Sequence, residues 1–140
     1  MSIDKSNAPS DSKFVILVID DSWPERARLK VTLQRMGHKV YEASDGLSGL
    51  EMSRAVRPDI IISDWVMPGM NGLELCHALQ AENQQDAHFM MLTARQATAD
   101  IVAGMNAGAD DVHTKPMPTE ELRARIQAVL RRRQRQAPAA

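Results

Sequence analysis

The sequence holds a single cysteine, Cys76, so no internal disulfide can form and a reducing cytoplasm is the expected setting. Cys76 itself reads as a small hydrophobe buried on a helix. There is no long apolar run either. The longest, 14–19, falls far short of the ~20 residues that a membrane helix needs. The opening stretch, MSIDKSNAPSDSK, has no apolar centre and does not fit a signal peptide. A net charge of −1 gives no global attraction to nucleic acid or to a membrane. No motif repeats with a period of 20–50 residues, which excludes solenoids and propellers. What is present is average: 140 residues, 44% apolar and 25% charged, the profile of one globular domain. A chain of this length buries about two thirds of its unfolded surface and needs no staples.

Charge is unevenly placed. Between Thr119 and Arg135 six arginines stand against Glu120 and Glu121. The glutamates open the segment and the arginines close it, the order that complements a helix dipole. With no interleaved aromatics and no nucleic-acid motif, we expect no direct nucleic-acid contact. Residues 1–13 are polar and read as a flexible tail. Residues 136–140 read as a frayed end or the start of a linker, which leaves 14–135 as the folded domain.

Within that domain short apolar runs alternate with amphipathic stretches. Strands are expected at 14–19, 39–43, 59–63, 88–93 and 110–114. The first run is unbroken and β-branched, as in a strand buried on both faces. Helices are expected at 23–36, 46–57, 71–82, 98–107 and 118–134. Ser22 and Glu25 read as a capping box, with Pro24 in the first turn where no donor is missed. Gly37 stops that helix. In the second helix Leu47 and Leu50 share a face, but the apolar stripe is weak, and Pro58 ends it. Five strand–helix pairs in strict alternation imply a parallel sheet with helices on both faces.

Ligands of open parallel sheets bind beyond the carboxyl ends of the strands. There the sequence places Asp20 and Asp21 after the first strand, Asp64 after the third, Thr93 at the end of the fourth and Lys115 after the fifth. Ser44-Asp45, after the second, reads as a helix cap. Three crowded carboxylates repel one another, and a hard divalent cation relieves them. Few side-chain oxygens with room for water suit Mg²⁺, which usually meets a phosphate. A hydroxyl and an ammonium beside them provide a donor and a positive charge for phosphoryl oxygens. The set is suited to phosphoryl transfer with a carboxylate nucleophile. Asp64, alone on what would be a central strand, is the better acceptor than the adjacent pair.

The stretches IDDS (19–22), SDWVMPGMNG (63–72), LTAR (92–95) and AGADDVHTKP (107–116) resemble, in order and spacing, the receiver domain of two-component response regulators. The similarity runs from about residue 14 to 133. It implies a flavodoxin-like α/β fold, a doubly wound five-stranded parallel sheet of order 2-1-3-4-5. It implies that Asp64 is the phosphoacceptor and that Asp20, Asp21, Asp64 and the backbone carbonyl of Val66 hold Mg²⁺. It implies that Thr93 is the switch hydroxyl, that Lys115 pairs with the phosphoryl oxygens, and that the bond before Pro116 is cis. The donor would be a phosphohistidine on a sensor histidine kinase or histidine phosphotransfer protein, and the output a further domain or a protein partner. The domain would be a cytoplasmic switch that catalyses only its own phosphorylation and dephosphorylation. Arg95 and Val66 fall where the family tunes the phosphoryl lifetime.

Two positions depart from the family pattern. Val112 stands where an aromatic switch residue is usual, and Met117 where phenylalanine follows the proline. Val112 is too small to swing between exposed and buried sites. Any conformational signal should then run through the backbone around 93–98 and 112–116. Rival readings fare worse. A haloacid dehalogenase-type phosphatase needs D-x-D after the first strand, and residue 22 is Ser. A dinucleotide-binding module needs G-x-G-x-x-G there, which is absent. A receiver serving only as an unphosphorylated interaction domain would have no need of the acidic residues, and all are kept. His38, His77, His88 and His113 show no metal-ligand spacing.

Overall fold

The computed structural model describes residues 14–82 and 86–136. The expected tails at 1–13 and 137–140 lie outside the described residues. Five strands and five helices alternate: β1 Val15–Ile19, α1 Trp23–Arg35, β2 Lys39–Ala43, α2 Gly46–Val56, β3 Ile60–Asp64, α3 Gly72–Ala81, β4 His88–Thr93, α4 Thr98–Asn106, β5 Asp111–Thr114 and α5 Thr119–Gln136. All pairings are parallel and the sheet order is β2-β1-β3-β4-β5. From β1, an inner strand, the path runs outward to β2, then crosses over β1 to β3 and continues to β5. No helix among the described residues is long and apolar enough to cross a membrane.

Alternate strand residues feed two separate cores, because successive side chains point to opposite faces. Ile16, Val18, Ile60, Ile62, Met90 and Leu92 pack with Leu29 and Leu33 of α1 and Leu122, Ile126, Val129 and Leu130 of α5. Leu17, Ile19, Ile61, Phe89 and Met91 pack with Leu50 of α2 and Leu75, Cys76 and Leu79 of α3. The three central strands are buried on both faces, hence their unbroken apolar runs. The edge strands β2 and β5 are only partly buried and correspondingly mixed.

Helix ends follow local chemistry, with three departures from the sequence-based expectation. The box at Ser22 is half closed: Ser22 Oγ accepts from the Glu25 N–H at 3.5 Å, but the Glu25 carboxylate is turned to Arg28. The complete box is on α3, where Asn71 Oδ1 accepts from the Glu74 N–H at 2.8 Å and Glu74 Oε1 from the Asn71 N–H at 2.9 Å. Helix α2 ends at Val56 because Arg57 turns left-handed, at φ 47°, before Pro58 is reached. Asp45 caps α2 as expected, accepting from the Ser48 N–H at 2.8 Å.

The weak stripe of α2 also has a physical explanation. The helix meets the sheet through Gly46, Gly49, Leu50 and Ser53, while Leu47 is 56% exposed. A Cβ on Gly49 would lie 2.6 Å from Ile19 Cδ1, so a small residue, not a large one, sets that approach.

Candidate functional site

Because all five strands run the same way, their carboxyl ends share one rim, and the chemistry-bearing residues arrive there from β1, β3, β4 and β5. Asp20 follows β1 and is 2% exposed; Asp21 beside it is exposed. Asp64 is the last residue of β3 and Thr93 the last of β4. Lys115 follows β5 directly.

Asp20 is held from both sides. Its N–H donates to the Ala43 carbonyl at 3.1 Å, and its carbonyl accepts from Arg26 Nη1 at 2.7 Å. Its carboxylate accepts the Ser22 N–H on Oδ1 at 2.9 Å and Lys115 Nζ on Oδ2 at 2.9 Å. Lys115 Nζ also lies 3.4 Å from Asp64 Oδ1, so one ammonium spans two carboxylates. Asp64 Oδ1 accepts the N–H of Trp65 as well, at 2.8 Å.

One oxygen from each of Asp20, Asp21 and Asp64 lies within 4.8 Å of the others, the one such cluster of His, Cys, Asp and Glu among the described residues. Burial raises the Asp64 carboxyl above its ordinary range; Lys115 works against that rise, and the neighbouring Asp20 charge adds to it. Lys115 shows the other half of this balance. Burial disfavours its ammonium, yet the Asp20 hydrogen bond and the Asp64 charge hold its pKa above the ordinary lysine value. Three converging hard oxygen donors, with one carboxyl partly desolvated, make a donor set that fits Mg²⁺.

The remaining expected residues sit around this centre. Thr93 is buried; its carbonyl accepts the Lys115 N–H at 2.7 Å and its Oγ1 accepts the Arg95 N–H at 3.0 Å. The Lys115–Pro116 bond is cis. Val66 is exposed on the β3–α3 loop. Val112 faces α4 rather than the carboxylates: a Cβ on Gly104 would lie 2.8 Å from its Cγ2.

Two contributors escape a reading of the sequence. Arg28 reaches from α1 to the Met117 carbonyl at 3.1 Å and to Thr119 Oγ1 at 3.2 Å, tying the segment after Lys115 to the first helix. Nothing in the local sequence distinguishes it from the other arginines of α1. Trp65 is 5% exposed, with the Arg95 guanidinium 5.1 Å from its ring centre. Its position beside Asp64 is the available signal, but a tryptophan in an apparent loop does not announce burial.

The family profile of the response regulator receiver domain matches residues 16–127. The chain belongs to that family. The receiver is 40% identical over 122 residues to the transcriptional regulatory protein AfsQ1 of Streptomyces coelicolor, covering 87% of this chain and 53% of that protein. It is 44% identical over 117 residues to the response regulator MprA of Mycobacterium leprae, covering 84% of this chain and 51% of that protein. The chain thus spans about half the length of the curated relatives it matches. Among solved structures, the chemotaxis protein CheY4 of Vibrio cholerae superposes with a TM-score of 0.79 at 33% identity, covering 84% of this chain and 98% of that one. The fold is therefore the flavodoxin-like receiver fold with strand order 2-1-3-4-5. The domain is a receiver of two-component response regulators, a phosphorylation-dependent switch. These comparisons favour neither the phosphatase nor the unphosphorylated alternative.

Proposed function

We propose that this receiver accepts a phosphoryl group on Asp64 from a phosphohistidine of a sensor histidine kinase or histidine phosphotransfer protein. The observation that carries the reading is Lys115, whose ammonium lies between the Asp20 and Asp64 carboxylates at the rim of the sheet. Asp64 attacks phosphorus, the N–P bond breaks, and its electron pair returns to the imidazole. Both described contacts of the Asp64 carboxylate fall on Oδ1, and we assign the attack to Oδ2. Lys115 meets the charge that builds on the equatorial oxygens. Thr93 Oγ1 accepts from the Arg95 N–H, which leaves the hydroxyl hydrogen to be donated to a phosphoryl oxygen. Asp20, Asp21, Asp64 and the Val66 carbonyl would hold Mg²⁺, which supplies charge neutralisation for the transferring group when bound. Turnover is attack of water on the acyl phosphate: the P–O bond to Asp64 breaks, phosphate leaves and the carboxylate is restored.

The domain would act in the cytoplasm as residues 14–135 of a regulator, controlling an output domain or a protein partner. Direct nucleic-acid binding forms no part of the reading. Helix α5 has its glutamates in the first turn, Arg125 pairs with Glu121, and Arg133 bonds the Asp86 carbonyl at 2.6 Å.

Incubation with acetyl phosphate and Mg²⁺ should add one phosphoryl group, labile to hydroxylamine and placed on Asp64 by mass spectrometry. Stoichiometric labile modification of Asp64→Asn, or none of the parent, would overturn the assignment.

A further inference from the structure

We propose that Trp65, with Arg95 laid over its ring, is the positioning pair that transmits occupancy of Asp64 to α4. The proposal rests on Asp64 being the acceptor. Its basis is a convergence on one residue, through one backbone bond and two approaches to its ring. Trp65 is covalently next to Asp64, and its N–H is bonded to Asp64 Oδ1. Its ring is buried and reaches toward α4, where a Cβ added to Gly104 would lie 3.7 Å from Cζ3. The Arg95 guanidinium lies 5.1 Å from the ring centre.

Arg95 in turn joins two further parts. Its N–H bonds Thr93 Oγ1 at 3.0 Å, and its Nη1 bonds Asp100 Oδ1, in the first turn of α4, at 3.2 Å. Asp64 and Thr93 are therefore tied to this pair through the backbones of Trp65 and Arg95, and the start of α4 through the Arg95 side chain. The two partners differ in freedom. Trp65 is locked in the core, whereas the Arg95 side chain is 49% exposed and its ion pair with Asp100 is partly solvated, hence weak and easily exchanged.

Formation of the acyl phosphate changes both ends of this linkage. It turns the carboxylate that accepts the Trp65 backbone N–H into a neutral carbonyl, a poorer acceptor, and replaces its single charge with a phosphoryl group carrying about −1.5 to −2. Thr93 donates toward the new oxygens, and the Arg95 backbone follows its hydroxyl. The guanidinium then shifts over a ring that stays in the core, its weak pair with Asp100 exchanges, and the first turn of α4 is freed to reposition. Val112 only supports the underside of α4. The aromatic of the switch is thus stationary, and the cation is the moving part.

The test uses Trp23→Phe as parent, which leaves Trp65 as the single tryptophan. Beryllofluoride with Mg²⁺, an acyl-phosphate mimic, should change Trp65 emission and shift backbone amides at 64–66 and 98–104. In Arg95→Met the emission change and the 98–104 shifts should fall below half, while the 64–66 shifts persist. Arg95→Lys, still cationic, should retain more of the α4 response than Arg95→Met. Trp65→Phe should keep it and Trp65→Leu should lose it. Full-sized α4 shifts in Arg95→Met, a surface substitution expected to fold, would overturn the coupling alone. A parent with no response at 64–66 would overturn the acceptor reading and this proposal with it.

Discussion

Asp20 has both carboxylate oxygens committed, to the Ser22 N–H and to Lys115. Asp64 has one side bonded, and Asp21 stands exposed beside them. This gradient predicts how each residue responds to substitution. Asp21→Ala removes one of three repelling charges at little packing cost, so the metal-free domain should melt at the same temperature or slightly higher. Mg²⁺, binding the folded state, should stabilise the parent by about 2.7 kcal/mol at a free concentration a hundredfold above Kd. That increment should be lost in Asp21→Ala. Thermal melts with and without Mg²⁺ check both; an undiminished Mg²⁺ response would remove Asp21 from the site. At this scale much is legible in the sequence. Parallel strands force their carboxyl ends together, so Asp20, Asp21, Asp64, Thr93 and Lys115 can be gathered from sequence order. The reach of Arg28 to Met117 and the burial of Trp65 cannot, since both depend on how α1 and α4 are rotated against the sheet.

Among the elements, the two helix starts that resemble each other in sequence differ in strength. The reciprocal box at Asn71 and Glu74 is closed with bonds of 2.8 and 2.9 Å, whereas Ser22 makes one long bond. Asn71→Ala should cost about 1 kcal/mol or more, and Ser22→Ala about 0.5 kcal/mol, the low end of the range for a lost cap. Urea unfolding of the two variants checks the order, and equal costs would contradict it. Strands are legible to within one residue at each end: the central three as unbroken apolar runs buried on both faces, the mixed edge strands from their place in the alternation with helices. Helix α2 is the least legible. Its docking face is Gly46, Gly49, Leu50 and Ser53, and hydrophobic periodicity is blind to a face built by omission of side chains. The stop at Arg57 is equally hidden, since left-handed backbone in a non-glycine residue has no reliable sequence mark.

For the whole molecule, two cores on opposite faces of one sheet mean that acid can act far from the rim. His38 is buried, accepting the Phe14 N–H on Nδ1 at 3.1 Å, and burial holds its imidazole below the ordinary value, opposed by Asp59. His113 is lowered in the same direction by burial and by Arg125. The unfolded chain therefore binds protons first. Their contribution to stability is complete above the unfolded value of about 6.5 and is lost as pH falls from there toward the folded values. Unfolding free energies measured from pH 8 to 5 should decline, and His38→Asn, which keeps an acceptor but does not titrate, should flatten part of that decline. An unchanged slope would exclude His38 as a source. The other whole-molecule consequence belongs to α4. Its N-cap residue, Ala97, offers no side-chain bond, and its one buried residue is Gly104. No large side chain of this helix is sunk in either core. Its amides should accordingly exchange with solvent deuterium before those of α1, α3 and α5, through openings that leave both cores shut. A protein with so lightly anchored a helix beside its proposed phosphoacceptor can alternate between arrangements there while both of its cores stay packed.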